Sequence, residues 1–177
     1  MPDTVRKMQP TFRIDPMTAA DWPEVRRIYE EGIATGTATL ERAAPDWSHF
    51  DRSHRHDCRL VARERRGGPV LGWTALSAYS SRRVYAGVAW ESVYVAADAR
   101  GRGVGKALLE ALIPESETAG LWTLVAGVQA ENAPSLALHA SVGFRQVGVM
   151  RGLGKDPNGR WRDVVLLERR STSVGVD

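Results

Sequence analysis

The chain contains a segment in which three glycines alternate with larger residues among basic side chains. It reads Arg100-Gly101-Arg102-Gly103-Val104-Gly105, is followed by Lys106, and comes soon after the apolar run Val93-Tyr94-Val95. A strand that turns through glycines into a helix leaves backbone N–H groups free at the helix N-terminus, where the helix dipole favours an anion. The basic side chains add positive charge at the same point. The pattern therefore predicts a binding site for a pyrophosphate.

The spacing of these residues separates the segment from two other phosphate-binding motifs. A Walker loop needs Gly-Lys-Ser/Thr after four intervening residues, which this segment lacks. The dinucleotide fingerprint follows a first strand and precedes an acidic residue by about 20 positions, which does not hold here. The segment does match Arg/Gln-x-x-Gly-x-Gly/Ala and resembles the acyl-CoA pyrophosphate loop of the GNAT superfamily of N-acetyltransferases. An ordinary glycine-rich loop that caps a helix is the alternative interpretation.

Length and composition are those of one globular domain: 177 residues, of which 43% are hydrophobic and 25% charged. The formal net charge of +3 is small, and an anionic cofactor explains the basic residues around the glycine loop better than nucleic acid does. We expect no membrane partner, because the sequence has neither an 18-residue apolar run nor the apolar core of a signal peptide. The single cysteine, Cys58, is interpreted as a buried strand residue and is consistent with a cytoplasmic location.

Hydrophobic patterning predicts alternating strands and helices. Pro45-Asp46-Trp47 opens a polar helix reaching about His56; His54 and His56 would point to different sides of it, so we predict no metal site. The helix after the glycine loop should run to about Gly120, with Pro114 kinking or breaking it. Strands are predicted at about 58–64, 69–78, 88–95 and 121–128, and an antiparallel pair at 144–150 and 161–167.

The resulting order, β-α-α-β-β-β-α-β-α-β-β, resembles that of the GNAT acetyltransferases. This resemblance implies an α+β (three-layer α/β) fold with a mixed central sheet of about seven strands, splayed at the fourth and fifth and flanked by about four helices. Residues 11–170 would form the single acetyltransferase domain, with a loose leader at 1–10 and a C-terminal tail at 171–177.

A closer resemblance is to the phosphinothricin acetyltransferase branch of this superfamily. It is carried by the early stretch Ile28–Glu41, by Gly72-Trp73 with Arg82 and Tyr85, by Ser92–Val95, and by Glu131–His139 followed by Gly143-Phe144. Members of the branch acetylate the α-amino group of small amino acids and toxic analogues such as phosphinothricin and methionine sulfoximine. The resemblance thus implies acetyl-CoA as co-substrate, a small-molecule amine as partner and direct transfer in a ternary complex.

The resemblance also implies residues that bind acetyl-CoA. The pantetheine would pair with the backbone of Val93, Tyr94 and Val95, where an N–H group donates to the thioester oxygen. The pyrophosphate would lie on the glycine loop, residues 100–106. Asn132 either meets the pantetheine or caps a helix, and Ser135 either contacts the cofactor or faces solvent.

The acceptor site implied by the resemblance centres on Arg82, whose guanidinium suits a planar carboxylate. An exposed loop residue is the alternative for Arg82. Tyr79 and Tyr85 would form the walls of the pocket, although core packing also explains them. The branch has a second arginine at the position of Ser80. We therefore expect this chain to recognise a second anionic group on the acceptor more weakly or in a different way.

The proton acceptor departs from the branch pattern. The branch has Glu three residues before Val-Tyr-Val, a position held by Trp90, and Glu91 comes one residue later. In a regular strand, a shift of one residue turns the Glu91 side chain to the opposite face of the sheet. A β-bulge before it would turn the side chain back toward the site. Glu91 is therefore the first candidate for the base and His139, which titrates near neutrality, the second.

Three functions remain open at this point: an amino-acid N-acetyltransferase, an acetyltransferase acting on another amine (a protein N-terminus, aminoglycoside or polyamine), and a non-catalytic acyl-CoA-binding module. Related proteins are commonly dimers, and Trp161 with Val164 and Val165 are candidates for the interface of a homodimer. The sequence does not identify the physiological amine, and it does not distinguish a detoxifying role from a metabolic one.

Overall fold

The computed structural model describes residues 11–65 and 67–176, so the predicted leader, residues 1–10, lies outside the described residues. Within the described part of the chain, seven strands and four α-helices alternate. The strands are β1 (Arg13–Pro16), β2 (His54–Arg63), β3 (Val70–Ala78), β4 (Val88–Val95), β5 (Thr123–Gln129), β6 (Arg145–Lys155) and β7 (Trp161–Arg170). The helices are α1 (Trp22–Ala34), α2 (Trp47–Ser53), α3 (Val104–Thr118) and α4 (Ala133–Ser141).

All seven strands form one mixed sheet in the order β1-β2-β3-β4-β5-β7-β6. Neighbours are antiparallel except β4 and β5, which run parallel and pair only from Val88 to Trp90 against Thr123 to Val125. Beyond Trp90, the two strands no longer pair. This sheet confirms the predicted fold class, including the splay between the fourth and fifth strands.

The helices cover the sheet on both faces because each has one apolar stripe to bury. On one face, α1 and α2 pack against β2, β3 and β4 around Phe50 and Trp73, whose rings meet edge to face. On the other face, α3 packs on β2, β3 and β4 through Leu108, Leu109 and Leu112, all fully buried. Burying each leucine contributes about 1.5–3 kcal/mol, so these two layers fix the position of β4.

The predicted helix at 45–56 extends too far at its C-terminal end. Helix α2 ends at Ser53, and His54 already pairs with Ser77 as the first residue of β2. The His54 ring stacks on Phe50 with centroids 4.0 Å apart, and His54 Nδ1 lies 2.9 Å from the Phe50 carbonyl oxygen. Pairing with β3, a contact distant in sequence, determines this boundary, whereas the polar composition of residues 51–57 does not.

Pro114 does not break α3, which continues to Thr118. The proline lies on the exposed side of the helix, so the carbonyl that loses its intrahelical partner faces solvent. Buried Leu112 and Ser116 hold the last turn against the molecule, and Ser116 Oγ donates to the Ile113 carbonyl oxygen at 2.7 Å. Burial of the opposite face thus outweighs the lost hydrogen bond.

Strands β6 and β7 form the predicted hairpin across the turn at Asp156 to Gly159. β6 is the edge of the sheet and exposes Val147, Val149, Met150 and Leu153. On β7, Trp161 is 65% exposed, whereas Val164 and Val165 are 7% and 5% exposed. The two valines belong to the interior of the protomer, so their predicted place in a dimer interface is wrong.

Candidate active site

The gap between β4 and β5 leaves one side of β4 without a partner strand. The Ala96 N–H donates to the Leu71 carbonyl on β3 at 2.8 Å. Because N–H groups along a strand alternate in direction, those of Val93 and Val95 point away from β3 and into the gap. The gap therefore offers hydrogen-bond donors to an extended ligand.

The glycine loop leads directly from this gap into α3. Gly101 and Gly103 have φ angles of +75° and +80°, a region that other residues adopt only with strain, and Gly103 is the N-cap of α3. A Cβ on Gly105 would stand 3.0 Å from Leu138 Cδ2 on α4, so this glycine permits the close packing of α3 against α4. The first turn of α3, whose N–H groups have no partner within the helix, lines the same cleft as Val93 and Val95.

A cleft of about 740 Å³ joins the gap to the glycine loop. It brings together most of the predicted cofactor-binding residues: Val93, Tyr94, Val95, Arg100, Gly101, Gly103, Val104, Gly105, Lys106, Asn132 and Ser135. Arg102 is directed elsewhere, since its Nη2 lies 3.1 Å from Glu64 Oε1 and the residue does not line the cleft.

The lining of the cleft suits an acyl-CoA in its charge and in its free hydrogen-bonding groups. One end has the N-terminus of α3 together with Arg100 and Lys106, a combination that suits phosphates. The other end lies beside the free edge of β4, whose unpaired backbone groups suit the amides of a pantetheine chain. Arg100 Nε also lies 3.4 Å from the Val95 carbonyl oxygen, so its side chain stays close to the strand end.

Asn132 occupies the N-cap of α4. Its Oδ1 accepts from the Ser135 N–H at 3.2 Å, and its Nδ2 donates to the Thr37 carbonyl oxygen at 3.2 Å. Both ends of the amide are engaged, in agreement with the capping interpretation. Asn132 and Ser135 nevertheless line the cleft, so they are positioned to meet a ligand as well.

The loop that follows α1 was not predicted as part of the site. Thr35, Thr37 and Ala38 line the cleft. Two side chains that come after β4 in the sequence hold this loop in place. Gln129 Nε2 donates to the Thr39 carbonyl oxygen at 2.8 Å, and Asn132 makes the bond to Thr37. The run of threonines has no periodicity that marks a binding loop, so only the spatial arrangement identifies it.

Glu91 and His139 form a buried pair behind the cleft. His139 Nε2 lies 2.9 Å from Glu91 Oε2, and the two side chains are 3% and 1% exposed. His139 Nδ1 lies 2.7 Å from the Ser135 carbonyl oxygen, an acceptor, so Nδ1 carries a proton. Burial alone would lower the pKa of His139, but the hydrogen bond and charge of Glu91 outweigh it and raise that pKa above its ordinary value.

The bulge considered for β4 does not occur. Pairing with β3 runs without a shift from Gly72 opposite Val95 to Ala78 opposite Ala89. Glu91 therefore shares the α3/α4 face with Val93 and Val95, and Trp90 lies on the α1/α2 face. A small cavity of about 60 Å³, large enough for a water molecule, lies between these faces. Glu91 and His139 line it from one face, and Ala38, Ser92 and Tyr94 line it from the other.

Arg82, Tyr79 and Tyr85 lie together in the loop between β3 and β4, outside the lining of the cleft. The Arg82 guanidinium carbon lies 5.3 Å from the centre of the Tyr85 ring, and the rings of Tyr79 and Tyr85 are 5.8 Å apart. Both tyrosines are partly exposed, at 43% and 37%. They form an exposed group in the loop before β4 rather than part of the core.

Other candidate chemistry is accounted for by packing. Cys58 is 4% exposed, which agrees with its interpretation as a buried strand residue, and burial raises its pKa to about 11. Among the described residues, no three His, Cys, Asp or Glu side chains are grouped as metal ligands would be. No helix in this part of the chain has the length and apolar character needed to cross a bilayer.

Comparison with known proteins gives a consistent result. Residues 21–144 match the model of the Acetyltransferase (GNAT) family. The chain is 38% identical over 159 residues to phosphinothricin N-acetyltransferase of Alcaligenes faecalis, which covers 84% of this chain and 77% of the relative. It is 31% identical over 153 residues to the L-methionine sulfoximine/L-methionine sulfone acetyltransferase of Pseudomonas paraeruginosa, covering 84% and 88%.

The fold is also shared with a solved structure. A GNAT superfamily phosphinothricin acetyltransferase from Sinorhizobium meliloti, in complex with acetyl-CoA, matches with a TM-score of 0.82 and 29% identity over 93% of this chain and 91% of that chain. Together, these similarities confirm the resemblance predicted from the sequence.

Proposed function

Because the chain belongs to the GNAT family of acetyltransferases and is an N-acetyltransferase that uses acetyl-CoA, we propose that its acceptor is the α-amino group of a small amino acid or of a toxic analogue such as phosphinothricin or methionine sulfoximine. Acetyl-CoA supplies the acetyl group, activated as a thioester. The observation that carries the proposal is the arrangement of two neighbouring cavities at the splay. The cleft has phosphate-binding groups at one end, and the small cavity lined by the buried carboxylate–imidazole pair shares five lining residues with that cleft.

The pair of Glu91 and His139 is the proposed proton acceptor. Because His139 Nδ1 already carries a proton, the pair can bind one more, which is shared between His139 Nε2 and Glu91 Oε2. When that position is empty, the pair takes up a proton released by the acceptor amine through the small cavity, directly or by way of water. Since Glu91 raises the pKa of His139, this competent form gains population as the pH rises through that raised pKa.

Direct transfer within a ternary complex is supported by the absence of an activated nucleophile among the described residues that line the cleft. Ser135 Oγ lies 3.4 Å from His139 Nδ1, but that nitrogen already donates to the Ser135 carbonyl and cannot accept the hydroxyl proton. The Cys58 thiol lines a different cavity. Bringing amine and thioester together therefore provides the proposed route.

Arg82 is the proposed partner of the acceptor carboxylate. Its guanidinium carbon lies over the Tyr85 ring, 5.3 Å from the ring centre, a cation–π contact that leaves the guanidinium fork available for two hydrogen bonds. Neighbouring Arg83 is exposed and begins a short helical turn, so it serves as a matched control with the same charge.

The test is thiol release from acetyl-CoA with phosphinothricin, methionine sulfoximine, natural amino acids, a polyamine and an aminoglycoside as acceptors. We expect turnover of an α-amino acid or analogue, with a raised acceptor KM in Arg82→Ala but not in Arg83→Ala. Glu91→Gln should lower kcat with little change in the KM for acetyl-CoA. Turnover confined to amines without a carboxylate would refute the proposal.

We also propose that the protein is a homodimer that pairs through β6. This edge strand is 11 residues long and exposes apolar side chains, a surface that soluble proteins cover or protect. Analytical ultracentrifugation of the protein and of Val149→Lys tests this, since the charge should yield monomers. A monomeric unaltered protein at micromolar concentration would refute it. The proposed location is the cytoplasm, whose reducing conditions suit the free thiol of Cys58.

A further inference from the structure

Gly127 lies inside a regular strand, β5, where a glycine weakens the strand and so calls for a reason. Its φ angle is outside the left-handed region, so its backbone conformation suits any residue. The pairing of β5 with β7 runs without a shift from Thr123 to Gln129, so no bulge requires a glycine there. The other common reason is the close approach of another group to the backbone.

The packing around Gly127 within the protein does not supply that group. A Cβ on Gly127 would stand 3.3 Å from Val164 Cγ1 and 4.0 Å from Trp90 Cζ3. The first contact is tight and would be relieved by a small shift of a side-chain methyl, and the second is an ordinary van der Waals contact. The fold therefore has room for an alanine at this position, and the group that approaches the backbone of Gly127 comes from outside the chain.

Gly127 connects the small cavity to the surface. Side chains alternate along a strand, so Val125 and Gln129 are its neighbours on the same face of β5, and both are buried. Gly127 itself is exposed, and it lines the small cavity together with Glu91 and His139. The missing side chain thus leaves an opening in a face that is covered on either side of it.

This opening belongs to the part of the small cavity that the acetyl-CoA cleft does not share. Five residues line both cavities, and Gly127 is not one of them. When acetyl-CoA fills the cleft, an acceptor reaches the buried pair past Gly127. An α-amino acid carries its carboxylate and its side chain on the carbon next to the amine, so it needs free space close to the reacting nitrogen. A glycine in the wall of the cavity leaves that space.

We infer that Gly127 is a specificity-determining residue of this acetyltransferase, because its missing side chain admits the branched α-carbon of the acceptor to the small cavity. The inference rests on the proposed function, since it explains how the same acceptor site takes an amine on a branched carbon. A side chain at this position narrows the opening and leaves the lining of the acetyl-CoA cleft unchanged. Glycine, whose α-carbon carries no side chain, is hindered less than the larger amino acids.

The experiment measures thiol release from acetyl-CoA with methionine sulfoximine, phosphinothricin, alanine and glycine as acceptors, for the unaltered protein, Gly127→Ala and Gly127→Val. We expect kcat/KM for the branched acceptors to fall about tenfold in Gly127→Ala and about 100-fold or more in Gly127→Val. The loss for glycine should be smaller by about threefold or more, and the KM for acetyl-CoA should change by about twofold or less. Calorimetric titration of each amino acid into protein saturated with coenzyme A measures the same differences as binding.

Stability separates this role from a packing role. Gly127→Ala should melt no lower than the unaltered protein, because alanine restricts the unfolded chain more than glycine does. Gly148→Ala is the matched control: Gly148 also lies in a strand, no described atom lies within 4 Å of an added Cβ, and the residue lines neither cavity. This control should leave both turnover and acetyl-CoA binding unchanged.

Unchanged acceptor turnover in Gly127→Val, or equal losses on glycine and on the branched amino acids, would overturn the inference while leaving the proposed function in place. A loss in Gly127→Ala that comes with weaker acetyl-CoA binding and a lower melting temperature would do the same, because it would show that Gly127 serves packing. Turnover of none of the amino acids by the unaltered protein, with acetyl-CoA still bound, would instead refute the proposed function and the inference with it.

Discussion

Replacing Glu91 with glutamine gives the sharpest test of the buried pair, because the side chain keeps its shape and loses only its charge. In the unaltered protein, Glu91 holds the His139 imidazolium at 2.9 Å in a site that is nearly closed to water. Glutamine offers His139 Nε2 a neutral hydrogen bond in its place. A protonated His139 is then buried without a counter-charge, so the imidazole is expected to stay neutral.

The size of the effect depends on pH. Removing one partner of a buried ion pair costs about 3–5 kcal/mol of stability. Because glutamine keeps a hydrogen bond to His139, we expect the free energy of unfolding to fall by about 3 kcal/mol at pH 6. The pKa of His139 is raised in the folded protein, so the stabilisation is fully present below the unfolded value of about 6.5 and is lost as the pH rises through the folded value. At pH 9 we expect a loss of about 1 kcal/mol.

Urea denaturation of both proteins at pH 6, 7, 8 and 9 measures this difference as a change in the free energy of unfolding. At pH 6 the melting temperature should also fall by about 6–12 °C. Glu30→Gln is the matched control, because Glu30 pairs with Arg26 across an exposed helix turn and should contribute about 0.5 kcal/mol or less. A loss in Glu91→Gln that is the same at every pH would show that Glu91 does not set the protonation of His139.

Three further outcomes follow from the cleft and its surroundings. Gly103→Val should raise the KM for acetyl-CoA and destabilise the protein by about 1–2 kcal/mol, whereas Gly159→Val, with the same positive φ in the β6–β7 turn, should destabilise it without changing that KM. Lys106→Ala should weaken acetyl-CoA binding about tenfold in calorimetry at low salt and less at high salt, and Lys155→Ala, next to Trp161, should leave binding unchanged. Cys58 should not react with a thiol reagent at pH 8 until urea unfolds the chain, so a reaction in the folded protein would contradict its burial.

Local chemistry made the cofactor cleft predictable. The alternation of Gly101, Gly103 and Gly105 with basic residues directly determines the turn, the start of α3 and its charge, so the sequence alone indicates a phosphate site. The strand Val93-Tyr94-Val95 is equally evident from its apolar run. These features lie within about a dozen residues of one another, and no distant contact is needed to specify them.

Features that depend on distant contacts were not predictable in the same way. The end of α2 at Ser53 is set by pairing with β3, and the contact of Glu91 with His139 joins residues 48 positions apart. Without that contact, a bulge was the only means of directing Glu91 toward the site. The anchoring of Thr39 by Gln129 spans 90 positions and likewise has no local signal.

The separation of β4 from β5 leaves a place in the sheet that an extended ligand can fill. The sheet consists of two halves, β1–β4 and β5–β7, that are hydrogen-bonded to each other only along Val88 to Trp90, and α3 packs on the first half. An extended donor lying along the free edge of β4 would take the place of further strand pairing there. The link between the two halves of the sheet would then be extended when the donor binds and shortened when it leaves, once in every turnover.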